Sequence, residues 1–422
     1  MRALLAHRDA RLYLGGQALS TIGDSALWLA MGIWVKILTG SSSAAGLVFF
    51  AFSCGILLAP VTGLVADRVR RRPLLIAANL AAAAGVCGLL LAGRGQVWLI
   101  YPIMFGYGAL NSLITSAQTA LLAVMLPADL LGEANAVLQM ATMGLRVISP
   151  LLGAGLLAWA GPVPVVLLDA GTFVLAAGAV AALRMREPAP VPSGGHWRAE
   201  VTAGIRYVSR TPALRRLLIT GVIALLVFGF FETVPYSLVS QGLHRPPAFL
   251  GVLEAVLGVG ALAGGVVAAP VMRRTSERAL VALGLLIAGG GCLLLIPARL
   301  PVVLAAVAVL GLAIVWFNVG ANTLIQRRTP ADLIGRVDAA LTIAITVPQT
   351  VSIALGAALV AVVDYRVLLA VMAVVIVISA VYLVAERDGA KDAVGPAAAV
   401  PAPVAEQVPE QVTERAPVPG QR

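Results

Sequence analysis

Charge is what this sequence has least of. Only 12% of its 422 residues are Asp, Glu, Lys or Arg, and 60% are apolar, where a soluble domain carries about 25% charged residues. A mean hydropathy of +0.95 excludes water as the main solvent. Lysine is almost missing: Lys36 and Lys391 are the only two, and neither follows a Gly-x-x-x-x-Gly stretch. A Walker phosphate loop is therefore excluded, and with it ATP hydrolysis by this chain. The three histidines are scattered through loops, and neither His-Glu-x-x-His nor Gly-x-Ser-x-Gly occurs. Hydrolase and metalloenzyme readings lose their support, and no cofactor or metal is expected. Cys54, Cys87 and Cys292 all fall inside apolar stretches, which reads as small buried hydrophobes rather than a disulfide framework.

What the chain has instead is long apolar runs. They fall at 12–38, 44–66, 74–92, 96–122, 136–159, 164–184, 214–240, 248–270, 279–297, 301–325, 337–362 and 365–385, each about the length that spans a bilayer as a helix. The first follows a short basic leader and lacks a cleavage site of small residues, so it is expected to be retained. Alternate loops then place about twenty Arg on one side of the membrane and five Lys or Arg (Lys36, Arg94, Arg245, Arg299, Arg366) on the other. By the positive-inside rule both termini are cytoplasmic. The net charge of +10 is accounted for by those loops rather than by nucleic acid. Abundant Arg, Ala and Gly suggest a bacterial source, hence the bacterial cytoplasmic membrane. The expected fold class is an all-α membrane protein of twelve transmembrane helices.

The segment Pro127-Ala-Asp-Leu-Leu-Gly-Glu-Ala-Asn-Ala-Val-Leu138 recurs as Pro330-Ala-Asp-Leu-Ile-Gly-Arg-Val-Asp-Ala-Ala-Leu341, 203 residues later. At that offset Gly153 falls on Gly356, Arg70 and Arg71 on Arg273 and Arg274, and Arg146 on Gln349. One offset across several loops and helices implies two pseudo-symmetric six-helix bundles, 1–186 and 214–386. Between them, 187–213 is a Pro-rich linker whose Val201, Ile205 and Val208 share a helical face. It reads either as an amphipathic helix on the cytoplasmic membrane surface or as a plain solvated linker. Residues 387–422 have no periodicity and are expected to be a disordered cytoplasmic tail.

An ionisable residue at the centre of a membrane helix costs about 2.5–3.5 kcal/mol, so each one needs an account. Asp24 shares a face with Gln17, Ser20, Thr21 and Trp28, either to couple transport or to hold a neighbouring helix. In the fifth span Asn135, Gln139, Thr142, Arg146, Ser149 and Gly153 form a polar stripe. Arg146 is the only cation deep in any span and should meet a carboxylate, Asp24 being the expected one. Glu232 stands among Phe228, Phe230, Phe231 and Tyr236, a setting that could hold a proton-carrying carboxylate out of water. Asp169 and Glu254 lie toward the outer ends of their spans, functional or simply hydrated. Asp24, Arg146 and Glu232 are thus the proton-coupling candidates, and Gln17, Trp28, Gln139, Phe231 and Gln349 the candidate wall of a substrate cavity. Ser149, Pro150 and Gly153 form a seam in the fifth span, a hinge or a close packing face.

The loop after the second span reads Gly63-Leu-Val-Ala-Asp67-Arg68-Val-Arg70-Arg71-Arg72. It resembles the signature of the major facilitator superfamily, matching at Gly63, Asp67, Arg68, Arg71 and Arg72 and departing at Arg70, where that family has Gly. The resemblance implies that this cluster gates the cytoplasmic side against the eleventh helix. Ser149-Pro150-x-x-Gly153-Ala154 is similar to a relaxed antiporter seam of the same family. Gln17 to Asp24, Leu38 to Ser41 and Gly204 to Val208 resemble the branch that holds macrolide and enterobactin exporters. By that resemblance the direction is outward and the driving force is the proton gradient. The expectation is a secondary transporter, not an enzyme, exporting an amphiphilic molecule such as an antibiotic, drug or siderophore. It would work as a monomer in the lipid bilayer, with a small-molecule substrate and protons as partners. A nutrient importer of the same fold and a non-transporting membrane sensor are the alternatives.

Overall fold

A computed structural model of the chain describes residues 7–185, 197–330 and 334–385. The tail and the first part of the linker lie outside the described residues. Those described form helices without a strand, as they must where lipid offers the backbone no hydrogen bonds. In chain order they are α1 (Arg8–Thr39), α2 (Ser42–Ile56), α3 (Ala59–Arg68), α4 (Arg71–Cys87), α5 (Ile100–Met125), α6 (Ala128–Ala160) and α7 (Pro162–Ala181). After them come α8 (Trp197–Arg210), α9 (Pro212–Phe228), α10 (Val234–Ser237), α11 (Leu250–Arg274), α12 (Glu277–Leu295), α13 (Leu300–Arg328), α14 (Ile334–Leu359) and α15 (Tyr365–Val384). Tight turns separate them where the sequence supplies the chemistry. Gly40 ends α1 at φ 71° and the Ser41 side chain caps α2 through the Ala44 amide.

Among the described residues, nine helical segments are long and apolar enough to cross a membrane uninterrupted. A tenth crossing is the pair α2 and α3, bent by 44°. The remaining two are α6 and α14, whose described apolar stretches are Ile148–Ala160 and Ala344–Leu359 and which each carry an internal proline, Pro150 or Pro348. Twelve crossings result. One of them changes form on the way: after Phe228 the chain tightens into a 3-10 turn, Gly229–Glu232, before α10 and a π-helical turn, Leu238–Gly242.

The internal repeat is visible in the packing. Gly108 of α5 lies against the Phe52 backbone of α2, and Gly311 of α13, at the 203-residue offset, lies against the Leu257 backbone of α11. Likewise Gly153 of α6 meets the Ala26 backbone of α1, while Gly356 of α14 meets Phe230 and Thr233 just after α9. Only a residue without a Cβ lets these helices approach so closely.

The two sets of helices touch mainly at one end. There α2 packs on α14 and α6 on α11. Gly46 abuts Thr233, Gly251 abuts Ala154, and the Ser237 hydroxyl donates to Ser42 Oγ at 2.9 Å. At the other end α3 packs on α5 and α4 of its own set and leaves Val61, Leu64 and Val65 exposed. The described linker helix α8 does not simply lie flat as an isolated amphipathic element. Val208, 2% exposed, joins Leu214, Val337 and Leu341 in a separate small core, and Tyr207 Oη donates to the Arg328 carbonyl at 2.8 Å. Ile205, expected on the same apolar face, is 54% exposed. An apolar face settles on a protein partner when one is within reach, and the start of α14 provides it.

Candidate functional site

Two pairs of acids sit inside the helical body, one in each half. In the first, Tyr107 Oη of α5 donates to Asp24 Oδ1 of α1 at 2.6 Å, and Ser20 Oγ approaches Oδ2 at 3.4 Å. Asp169 of α7 lies close enough to feel the Asp24 charge. It packs on Gly23 beside Thr172, where a Cβ in place of the glycine hydrogen would overlap both. Asp169 is 0% exposed, and neither of its oxygens has a hydrogen-bond partner among the described residues. The reading of it as a hydrated interfacial carboxylate is thereby corrected: α1 and α5 cover it. A carboxylate so placed must have its charge neutralised, by a proton or by a cation.

The second pair, Glu232 on the 3-10 turn and Glu254 on α11, lines a cavity of about 280 Å³. Trp28 and Phe49 of the first half and Phe228, Phe231 and Tyr236 of the second share its wall with Pro150 and Gln349. A neighbouring cavity of about 310 Å³ lies within the second half, lined by apolar side chains with Asn318 and Asn322, and shares Phe228, Ile314 and Gln349 with the first.

A row of rings joins the two acid pairs. Phe173 meets Tyr107 edge-on at 5.8 Å between centroids, Tyr107 lies 5.5 Å from Phe52, and Phe52 lies 4.8 Å from Trp28. Trp28 and Phe49 are 4.6 Å apart, and Phe49 stands 6.3 Å from Tyr236. Such tilted and edge-on contacts are the favoured aromatic geometries. Since the row starts beside the aspartates and ends in the cavity wall, movement at one pair has a packed route to the other.

Of the expected site residues, Asp24 stands in the first pair and Glu232, Trp28, Phe231 and Gln349 stand at the cavity. Gln17 is held elsewhere on α1, its Nε2 donating to Gln118 Oε1 of α5 at 2.9 Å, and Gln139 is exposed on α6. The side chains of Arg146 and Asp67 lie outside the described residues. The stretch expected to be a loop is mostly helical, with Gly63 and Arg68 in α3 and Arg71 and Arg72 opening α4; Arg68 is exposed and a Cβ at Gly63 would meet open space. Arg72 turns to α7 instead, with Nε and Nη2 donating to the Val180 and Ala181 carbonyls at 3.2 and 2.6 Å. A cation there complements the helix C-terminus. Arg71 beside it is half-buried. In the seam, Gly153 lies against α1 and its neighbour Ala154 against α11, with Ser149 buried at 1% exposure. Tyr107 was not singled out from the sequence, where a lone tyrosine in an apolar run is the only signal it leaves; Tyr236 was named only as a neighbour of Glu232.

A family model described as Major Facilitator Superfamily matches residues 13–352 and 233–416. The enterobactin exporter EntS of Citrobacter koseri is 25% identical over 350 residues, covering 80% of this chain and 82% of its own. The multidrug efflux pump Tap of Mycobacterium tuberculosis (strain ATCC 25618 / H37Rv) is 27% identical over 371 residues, covering 79% and 82%. Among solved structures, a bacterial homologue of the iron transporter ferroportin in its inward-facing state superposes with a TM-score of 0.71 at 16% identity, over 90% of this chain and 98% of that one.

Proposed function

The chain belongs to the major facilitator superfamily, which makes it a multi-pass membrane transporter of small molecules rather than an enzyme, and we propose that it is a proton-coupled exporter working by alternating access. The observation that carries this reading is the buried acid pair of α1 and α7. Asp169 has no described counter-charge and packs on Gly23, next in sequence to Asp24, which Tyr107 holds. A proton taken up by this pair changes the charge of a dry site between helices that rotate against the other half. That is the differential affinity a gradient needs to drive a conformational change.

The export direction is supported by relatives named as exporters, EntS and Tap, and by the antiporter-like seam at Ser149, Pro150 and Gly153. The expected domain division, with bundles at 1–186 and 214–386, a linker at 187–213 and a tail at 387–422, belongs to the same reading. The end carrying Arg8, Arg68, Arg72, Arg327 and Arg328 is cytoplasmic by its positive charge. The contacts of α2 with α14 and α6 with α11 then close the outer side, which makes this the inward-facing state. In the outward-facing state the Asp67 cluster would lock the cytoplasmic side, and Arg146 would exchange carboxylate partners as Asp24 is protonated. A bacterial cytoplasmic membrane, both termini inside and a monomeric working unit complete the reading.

Asp24→Asn keeps the shape and the Tyr107 contact but not the titratable charge. In everted vesicles bearing a proton gradient it should abolish gradient-driven substrate accumulation with the protein still folded. Wild-type accumulation by that variant sinks the proton-coupling assignment.

A further inference from the structure

Glu232 and Glu254 share one cavity, and among the described residues neither carboxylate has a hydrogen bond or ion pair. No described Lys, Arg or His lines this cavity or the adjoining one. Tyr236 stands beside them, its hydroxyl packed toward Gly32 of α1. It is 4% exposed, it forms part of the same wall, and its hydroxyl has no hydrogen-bond partner among the described residues. Around these groups stand the faces and edges of Trp28, Phe49, Phe228 and Phe231. Acids in a dry site need counter-charge, and ring faces attract a cation that has left water. The adjoining cavity adds apolar room, with only the neutral amides of Asn318, Asn322 and Gln349 for polarity.

We propose that the joined cavities bind amphiphilic organic cations, with the charge held between Glu232 and Glu254 against the aromatic wall and the apolar body extending past Phe228 into the neighbouring cavity. This rests on the transport reading and adds to it the charge of the cargo. An amphiphilic anion would meet two acids and no described base, and a neutral solute would leave the acids uncompensated.

The test is equilibrium binding of radiolabelled tetraphenylphosphonium to the full chain in phosphatidylcholine nanodiscs, with no gradient. The wild type should bind saturably, and Glu232→Gln and Glu254→Gln should each weaken binding at least about tenfold. Asp364→Asn, which removes an acid at the exposed N-cap of α15 far from both cavities, should leave it within about threefold. Glu232→Asp, which keeps the charge, should recover most of the affinity, and this guards against a folding defect in the amide variant. Unchanged affinity in both glutamine variants overturns the proposal. So does tighter saturable binding of the amphiphilic anion 8-anilinonaphthalene-1-sulfonate than of the cation, which would put Arg146 in command of the cavity. Because no gradient is used, a chain that binds the cation in a glutamate-dependent way but fails to transport would refute the export reading and leave this one standing.

Discussion

The two halves share a frame and differ in where they keep their charge. In the first, Asp24 is bonded to Ser20 and Tyr107, Asp169 is buried without a described hydrogen-bond partner, and both stand away from the two cavities; in the second, Glu232 and Glu254 line one. At the 203-residue offset Val227 and Met372 stand where the aspartates would be, and Leu29 and Ala51 stand where the glutamates would be. Yet Gly108 and Gly311 make the same helix crossing in both. Backbone packing is therefore common to the repeat, while ionisable groups were placed once each. The difference suggests a division of labour, with protons handled in the first half and cargo in the second, linked by the row of rings from Phe173 to Tyr236.

That division can be broken experimentally. The largest effect is expected from Asp169→Asn, which should cut gradient-driven efflux by about a hundredfold or more while leaving substrate affinity in nanodiscs unchanged. A loss of affinity with efflux kept would reverse the assignment of the two pairs. Next come Gly108→Ala and Gly311→Ala. Each pushes a Cβ into a facing backbone and should destabilise the protein by about 1–3 kcal/mol, read as matching drops in thermal unfolding midpoint. A large drop in one and none in the other would show that the frame is not shared after all. The smallest effect belongs to Tyr107→Phe, which removes one hydrogen bond to Asp24, worth about 1.5–3 kcal/mol if the acceptor is charged. Part of that loss would be recovered by water or by Asp24's other partners, so efflux should fall about three- to tenfold without vanishing. Complete loss would promote the tyrosine from a positioning group to a proton carrier.

Much of this architecture was legible in one dimension. Each apolar run became helical, two of them broken into successive pieces at 44–66 and 214–240, because a bilayer-length apolar stretch must satisfy its backbone within itself. Asp24 and Glu232 stood out because an acid in an apolar run is costly wherever it sits. Asp169 was harder to judge: its place near the end of a span left burial and hydration equally open, and only the covering by Gly23, Thr172 and Tyr107 distinguishes them. Gln17 has a partner that its sequence neighbourhood does not display. Its helical face pointed toward a cavity, but Gln118, 101 residues away, takes up its amide.

By itself, then, the sequence determined the solvent, the number of crossings and the twofold repeat, because hydrophobic length, Arg placement and a constant offset are properties of the chain read along its length. Only the tertiary structure decided which acids share a site, which of them line a cavity, and which end the halves close. Those depend on residues far apart in sequence meeting across helix faces, and no local pattern records which face a neighbour will cover.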